Sequence, residues 1–210
     1  MKKIILYLNE TRKKEKSLLV FTIIIFLVGI VLGSLFLNLI TLDDKKLLID
    51  QVETYITSIK KLSSDVFGTK YLISQLINNS IQLFIIFALG LSMIGIFAVI
   101  GILFFKGFML GATLSTIILK YKIKGILACF LYIFPVMVFN IIIYILFSFF
   151  AVSASIKFLK ALFRKKSLDF KNFFGRYTLL FIISIILISI SCLLDAYLTP
   201  LLLKLFTYIL

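Results

Sequence analysis

The chain has 210 residues, 62% of them hydrophobic, with 23 Phe and a mean hydropathy of +1.17. Its 23 Lys and Arg outnumber 9 Asp and Glu, giving a net charge of +14, and it contains no His. Soluble domains are about half apolar, so the excess points to lipid as the solvent, and the basic residues, strung between apolar runs, argue against a nucleic-acid surface.

The first 16 residues carry Lys2, Lys3, Arg12, Lys13, Lys14 and Lys16. The uncharged run that follows, Ser17 to Leu42, is too long for the apolar part of a secretory signal, and no Ala-x-Ala-like site follows it. It reads as an uncleaved anchor spanning about residues 17–40, and it carries the small-residue pair Gly29 and Gly33. An outer loop, 41–80, comes next. From Asp43 to Val66, Leu48, Val52, Tyr55, Ile56 and Ile59 recur at helical spacing among Asp50, Glu53, Lys60 and Lys61. This predicts an amphipathic helix that rests on the bilayer or the bundle, or offers its stripe to a partner.

The run from Tyr71 to Phe105 is uncharged, but it opens with the polar stretch YLISQLINNSIQ. An interfacial helix followed by a second span at 81–105 is expected. Thirteen residues then separate Lys106 from Lys120; as a helix they cover roughly 20 Å of a core about 30 Å thick. If this short third segment, 106–121, crosses, 14 of the 23 Lys and Arg lie inside and nine outside. If it only dips in, the densest basic loop is forced outside, against the positive-inside bias. The expectation is therefore that it spans, with Lys106 snorkelling and with Gly107 and Gly111 forming a second small-residue pair.

The fourth span, 126–152, contains Pro135 at mid-depth, where a kink is expected, and Asn140 beyond it. Residues 153–176 form an inner basic loop, in which Phe158, Leu159, Leu162, Phe163, Phe170, Phe173 and Phe174 interleave with charges. That pattern predicts an interfacial cytoplasmic helix held by anionic lipid. The fifth span, 177–199, places Asp195 near a membrane face. The fold expected is all-α and polytopic. It has five transmembrane helices (the third short), an extracytoplasmic amphipathic helix and a basic cytoplasmic loop helix in a single domain, 1–210. The N-terminus lies inside and the C-terminus outside.

Catalysis at depth needs convergent polar groups. The sequence offers no His, no paired Asp and no nucleophile elbow, and Cys129 and Cys192 sit in apolar runs. No enzyme, cofactor or metal site is expected. A transporter, or the membrane subunit of one, is the alternative, with Lys106, Asn140 and Asp195 as its polar residues and Gly107 and Gly111 as a moving contact. The two glycine pairs suit close helix packing, and a homo-oligomer is left open.

The order of these features resembles the stage II sporulation protein M family over essentially the whole chain. The resemblance lies in the basic N-terminus and anchor, the loop opening Asn38-Leu39-Ile40-Thr41-Leu42, and the element Lys106-Gly107-Phe108-x-x-Gly111. It continues in the fourth helix with Pro135 and Asn140, although Val136 and Met137 stand where the family often has polar residues. The resemblance implies a cell-membrane protein of the sporulation septum, active in engulfment. It would be a non-catalytic scaffold in a peptidoglycan remodelling complex with the hydrolases stage II sporulation proteins D and P.

Overall fold

The computed structural model describes residues 2–61, 69–133, 137–164 and 170–209. Side chains are described for 15–54 and 69–198, apart from 70, 128, 130–136, 162 and 164–171. These residues form six helices and no strand: α1 Lys2–Leu39, α2 Leu42–Lys61, α3 Thr69–Gly90, α4 Gly95–Ile133, α5 Met137–Arg164 and α6 Phe170–Ile209. Five segments are long and apolar enough to cross a membrane: Glu15–Leu39, Tyr71–Gly90, Gly95–Leu127, Met137–Ala161 and Asn172–Leu198. Their outward faces are aliphatic and aromatic. Along α1 alone, Val20, Phe21, Ile24, Leu27, Val28, Val31, Leu32 and Leu35 are all exposed, a surface suited to hydrocarbon and not to water.

The five apolar segments run alternately up and down, with α2 lying between the first and second of them in sequence. At one end, Lys157 of α5 lies 4.0 Å from Glu15 of α1, and Tyr177 of α6 donates to the Phe87 carbonyl of α3 at 3.1 Å. At the opposite end, Tyr71 of α3 meets Asp195 of α6, and Glu53 of α2 pairs with Lys120 of α4. Between the ends, Leu83, Ile86, Val99, Phe147, Ala151, Val152 and Ile188 form the core. Phe87 stacks on Tyr177 and Phe181 with ring centroids 4.9 and 4.4 Å apart.

Helix α2 starts where its sequence dictates. Thr41 is the N-cap: its Oγ1 accepts from the Asp44 amide at 3.3 Å and donates to the Asp44 carboxylate at 2.7 Å, while Asp43 and Asp44 put negative charge on the first turn.

The middle of the chain divides differently from the expectation. The expected second span, 81–105, is broken by a tight turn at Leu91-Ser92-Met93-Ile94, flanked by Gly90 and Gly95. A Cβ at Gly95 would run into the Leu89 carbonyl, and one at Gly90 into the Tyr177 hydroxyl. Only glycine lets the chain reverse this closely against its neighbours. Ser155 of α5 caps the corner by donating to the Ser92 carbonyl at 2.5 Å. The expected short third span, 106–121, is therefore the second half of α4, and Lys106 stands inside a full-length apolar helix. Residues 71–80, expected as an interfacial helix, are the first half of α3.

Helix α4 bends at Lys122, the one non-glycine residue with positive φ among those described (φ 50°, ψ −127°). Beyond it the chain folds back. Cys129 Sγ lies 3.8 Å from the Leu114 carbonyl oxygen, although fifteen residues of straight helix would hold them about 22 Å apart. The kink expected at Pro135 lies outside the described residues. The basic segment 153–176 is not a separate helix where it is described: it continues α5 to Arg164 and opens α6 at Phe170.

Candidate functional site

Polar side chains inside an apolar bundle need partners, because none is supplied by the hydrocarbon. On α3 the residues Tyr71, Gln75 and Asn79 are spaced by four and so share one face. They form a ladder. Asn79 Nδ2 donates to Gln75 Oε1 at 3.4 Å, Gln75 Nε2 donates to the Tyr71 hydroxyl at 3.3 Å, and that hydroxyl donates to Asp195 Oδ2 at 3.2 Å. Tyr144 of α5 closes the inner end, its hydroxyl 3.0 Å from Asn79 Oδ1 and 3.2 Å from the Asn79 carbonyl oxygen. Asn79 Nδ2 also lies 3.4 Å from Cys192 Sγ of α6.

The ladder is one wall of a cavity of about 390 Å³ lined by residues of α1, α3, α4, α5 and α6. The other walls are apolar and include Phe26, Leu110, Leu114, Ile117 and Ile141. Lys106 reaches this space from α4, its ammonium 2.9 Å from the centroid of the Tyr144 ring. That is a cation–π contact in a desolvated setting. No carboxylate lies within ion-pair distance of Lys106 among the described residues. Lys106 comes eleven residues after Gly95 and sixteen before the Lys122 corner, about 16 and 24 Å along the helix, so its ammonium sits at mid-depth. Asn140 also lines the cavity, and its buried Oδ1 has no hydrogen-bond partner.

The structure thus brings Lys106, Asn140 and Asp195 to one cavity. The glycines do something else. A Cβ at Gly29 would strike the Phe104 carbonyl, one at Gly33 the Phe108 carbonyl, one at Gly107 the Phe26 carbonyl and one at Gly111 the Ile30 carbonyl. The two glycine pairs face each other, and α1 and α4 touch backbone to backbone. Phe108 lies on that side too, its ring 5.3 Å from Phe36. The element Lys106-Gly107-Phe108-x-x-Gly111 therefore turns its cation toward the cavity and its glycines toward α1. On α2, Val52 packs inward on the cluster of Ile117 and Cys129, so it is not free for an outside partner, and Leu48 is half-buried. The side chains of Tyr55, Ile56 and Ile59, and all of Pro135, lie outside the described residues.

Tyr71, Gln75, Asn79 and Tyr144 are cavity residues that reading the sequence missed. The four-residue spacing of the first three, inside an otherwise apolar run, and Tyr144 one turn after Asn140, were the available signals. Among the described residues, no group of three His, Cys, Asp or Glu could hold a metal ion.

The fold and the site define a polytopic, all-helical membrane protein built around a polar cavity. The chain belongs to the family described as Stage II sporulation protein M, which it matches over residues 22–200. It is thus a sporulation-related membrane protein. Neither a curated protein nor a solved structure matches it.

Proposed function

We propose that the protein is a non-catalytic scaffold of the engulfment machinery in endospore formation, which localises or assembles septal peptidoglycan hydrolases. The family match over residues 22–200 carries this reading. The partners in view are stage II sporulation proteins D and P. In the arrangement proposed, the N-terminus and the turn at 91–94 face the cytoplasm, and α2, the Lys120–Lys124 corner and the C-terminus face the wall. With Lys106 in mid-membrane, 13 of the other 22 Lys and Arg fall on the cytoplasmic side, which keeps the positive-inside bias. The basic ends of α5 and α6 then lie against anionic lipid.

Helix α2 supports a docking role by its placement. The Glu53–Lys120 pair and Val52 hold one face on the bundle, while Leu47, 62% exposed, and the exposed Asp43, Lys46 and Asp50 point away from it. In membranes of sporulating cells, the chain carrying Leu47→Ser, Lys46→Ser and Asp50→Ser should lose co-purification of both hydrolases while still accumulating in the membrane. Unchanged septal thinning in a deletion strain would end the proposal.

A second reading is favoured by the convergence of Lys106, Asn140 and Asp195 on one cavity: a small membrane transporter, or the membrane subunit of a transport complex. Solute uptake into proteoliposomes that is abolished by Lys106→Met would establish it.

A further inference from the structure

The cavity raises a chemical question that a docking role leaves open, and the answer does not depend on the choice of partners. A cation at mid-depth is costly in hydrocarbon and is ordinarily paired or aimed at a pathway. Lys106 has a ring beneath it and no carboxylate beside it among the described residues. Nearby, Asn140 Oδ1 is buried as an acceptor with no donor. Two unmet demands, one for an anion and one for a hydrogen-bond donor, thus fall on one cavity.

The remaining walls narrow the ligand. One side is the polar ladder from Asp195 to Asn79; the other is Phe26, Leu110, Leu114 and Ile117. A small inorganic ion has no use for the second side, whereas a molecule with a polar head and an apolar body uses both. Lys106 also borders a shallower cleft between α3 and α4, formed with Gln82, Ile85, Ala98, Gly101, Ile102 and Phe105. Nothing lies within 4 Å of where a Cβ on Gly101 would be, and Ile85 and Phe105 are exposed. The cleft therefore opens onto the lipid-facing surface, and Lys106 lines both the cleft and the cavity.

We propose that Lys106, Asn140 and Tyr144 form a binding site for a phosphate or carboxylate headgroup that also carries a hydroxyl or amine. The anionic oxygen sits against the Lys106 ammonium and the hydroxyl or amine donates to Asn140 Oδ1. Where the ligand is an amphiphile, the cleft beside Gly101 takes its chain. The same anionic chemistry could come from a membrane lipid or from a free phosphate, and the test separates the two.

The full chain, reconstituted in vesicles of equal phosphatidylglycerol and phosphatidylcholine, is extracted and the lipid it retains is weighed by native mass spectrometry. Inorganic phosphate binding is measured in parallel by calorimetry in a neutral detergent. The wild type should retain phosphatidylglycerol in preference to phosphatidylcholine. Lys106→Met should weaken retention at least about tenfold and Lys106→Arg should keep most of it, since a charge-assisted contact is lost in one and kept in the other. Asn140→Leu, which leaves the cation in place, should weaken it less. Gly101→Leu fills the cleft: loss of lipid with phosphate binding intact identifies the lipid as the source. Phosphate binding that needs Lys106, without preference for phosphatidylglycerol, identifies a free anion, and either result supports the site. A Lys106→Met protein that elutes as the wild type does and binds both probes equally well overturns it, as does a wild type that binds neither.

Discussion

Tyr144 holds the inner end of the cavity by two different parts of one side chain. Its hydroxyl meets Asn79 Oδ1 at 3.0 Å, and its ring lies under the Lys106 ammonium. Tyr144→Phe separates the two roles, because it deletes the donor and keeps the ring. The Asn79 amide oxygen is then a buried acceptor short of a partner, which costs about 1–3 kcal/mol. Thermal unfolding in detergent should fall by several degrees, while the affinity for any anion at Lys106 changes little. A drop in both would show that the hydroxyl itself touches the ligand. None of this was legible in the sequence at this scale. Tyr144 and Asn79 are 65 positions apart, and what they do depends on α3 and α5 being neighbours, which no local pattern encodes. Lys106, by contrast, announces itself as a lone charge in an apolar run.

At the scale of elements, the glycine pairs set how close α1 and α4 can come. Association in lipid lacks a hydrophobic drive between helices, so it relies on close packing of small residues. Gly111→Leu would push a side chain into the Ile30 carbonyl and force the two backbones apart, costing about 3 kcal/mol or more as an overpacked contact with no flexible neighbour to yield. Gly101→Ala is the contrasting change. It meets nothing within 4 Å and should be neutral or stabilising by up to about 1 kcal/mol, since alanine is the better helix former. The unfolding midpoint should therefore fall for Gly111→Leu and stay or rise for Gly101→Ala; equal effects would mean the α1–α4 contact is not held by these glycines. Both pairs could be read from spacing, because small-x-x-x-small is a local pattern. The boundary between α3 and α4 could not be placed by charge. The turn at 91–94 contains no charged residue, and its marks are Gly90, Ser92 and Gly95 inside a continuous apolar stretch. Taking Lys106 as the break assumed that a charge marks a membrane face. The structure keeps that cation inside because Tyr144 and a cavity receive it. The polarity of Tyr71, Gln75 and Asn79 misled for the same reason, since those side chains serve a cavity and not an interface.

For the whole molecule, moving one boundary by more than ten residues leaves the number of crossings odd. The expected division and the observed one both yield five segments able to span, so the proposed arrangement, with the termini on opposite sides, is the same for both. They differ in which residues reach water. If Lys106 marked a face, positions near it would be accessible and Ser92 would be buried at depth; in the structure Ser92 is exposed at a corner and Lys106 is half-buried beside the cavity. The two native cysteines are buried, Cys129 9% and Cys192 1% exposed, so labelling of intact cells by a membrane-impermeant maleimide starts from a low background. Ser92→Cys should react only after the membrane is opened, and Leu47→Cys on α2 should react in intact protoplasts without opening. Reaction of both from the outside would turn α2 and the 91–94 turn toward one compartment, which a single crossing by α3 between them forbids. A block of Ser92→Cys labelling under all conditions would instead restore the boundary at Lys106 and take Lys106 out of mid-membrane. The cavity's cation, the direction of α4 and the side on which α2 meets its partners thus rest on the reactivity of one serine position.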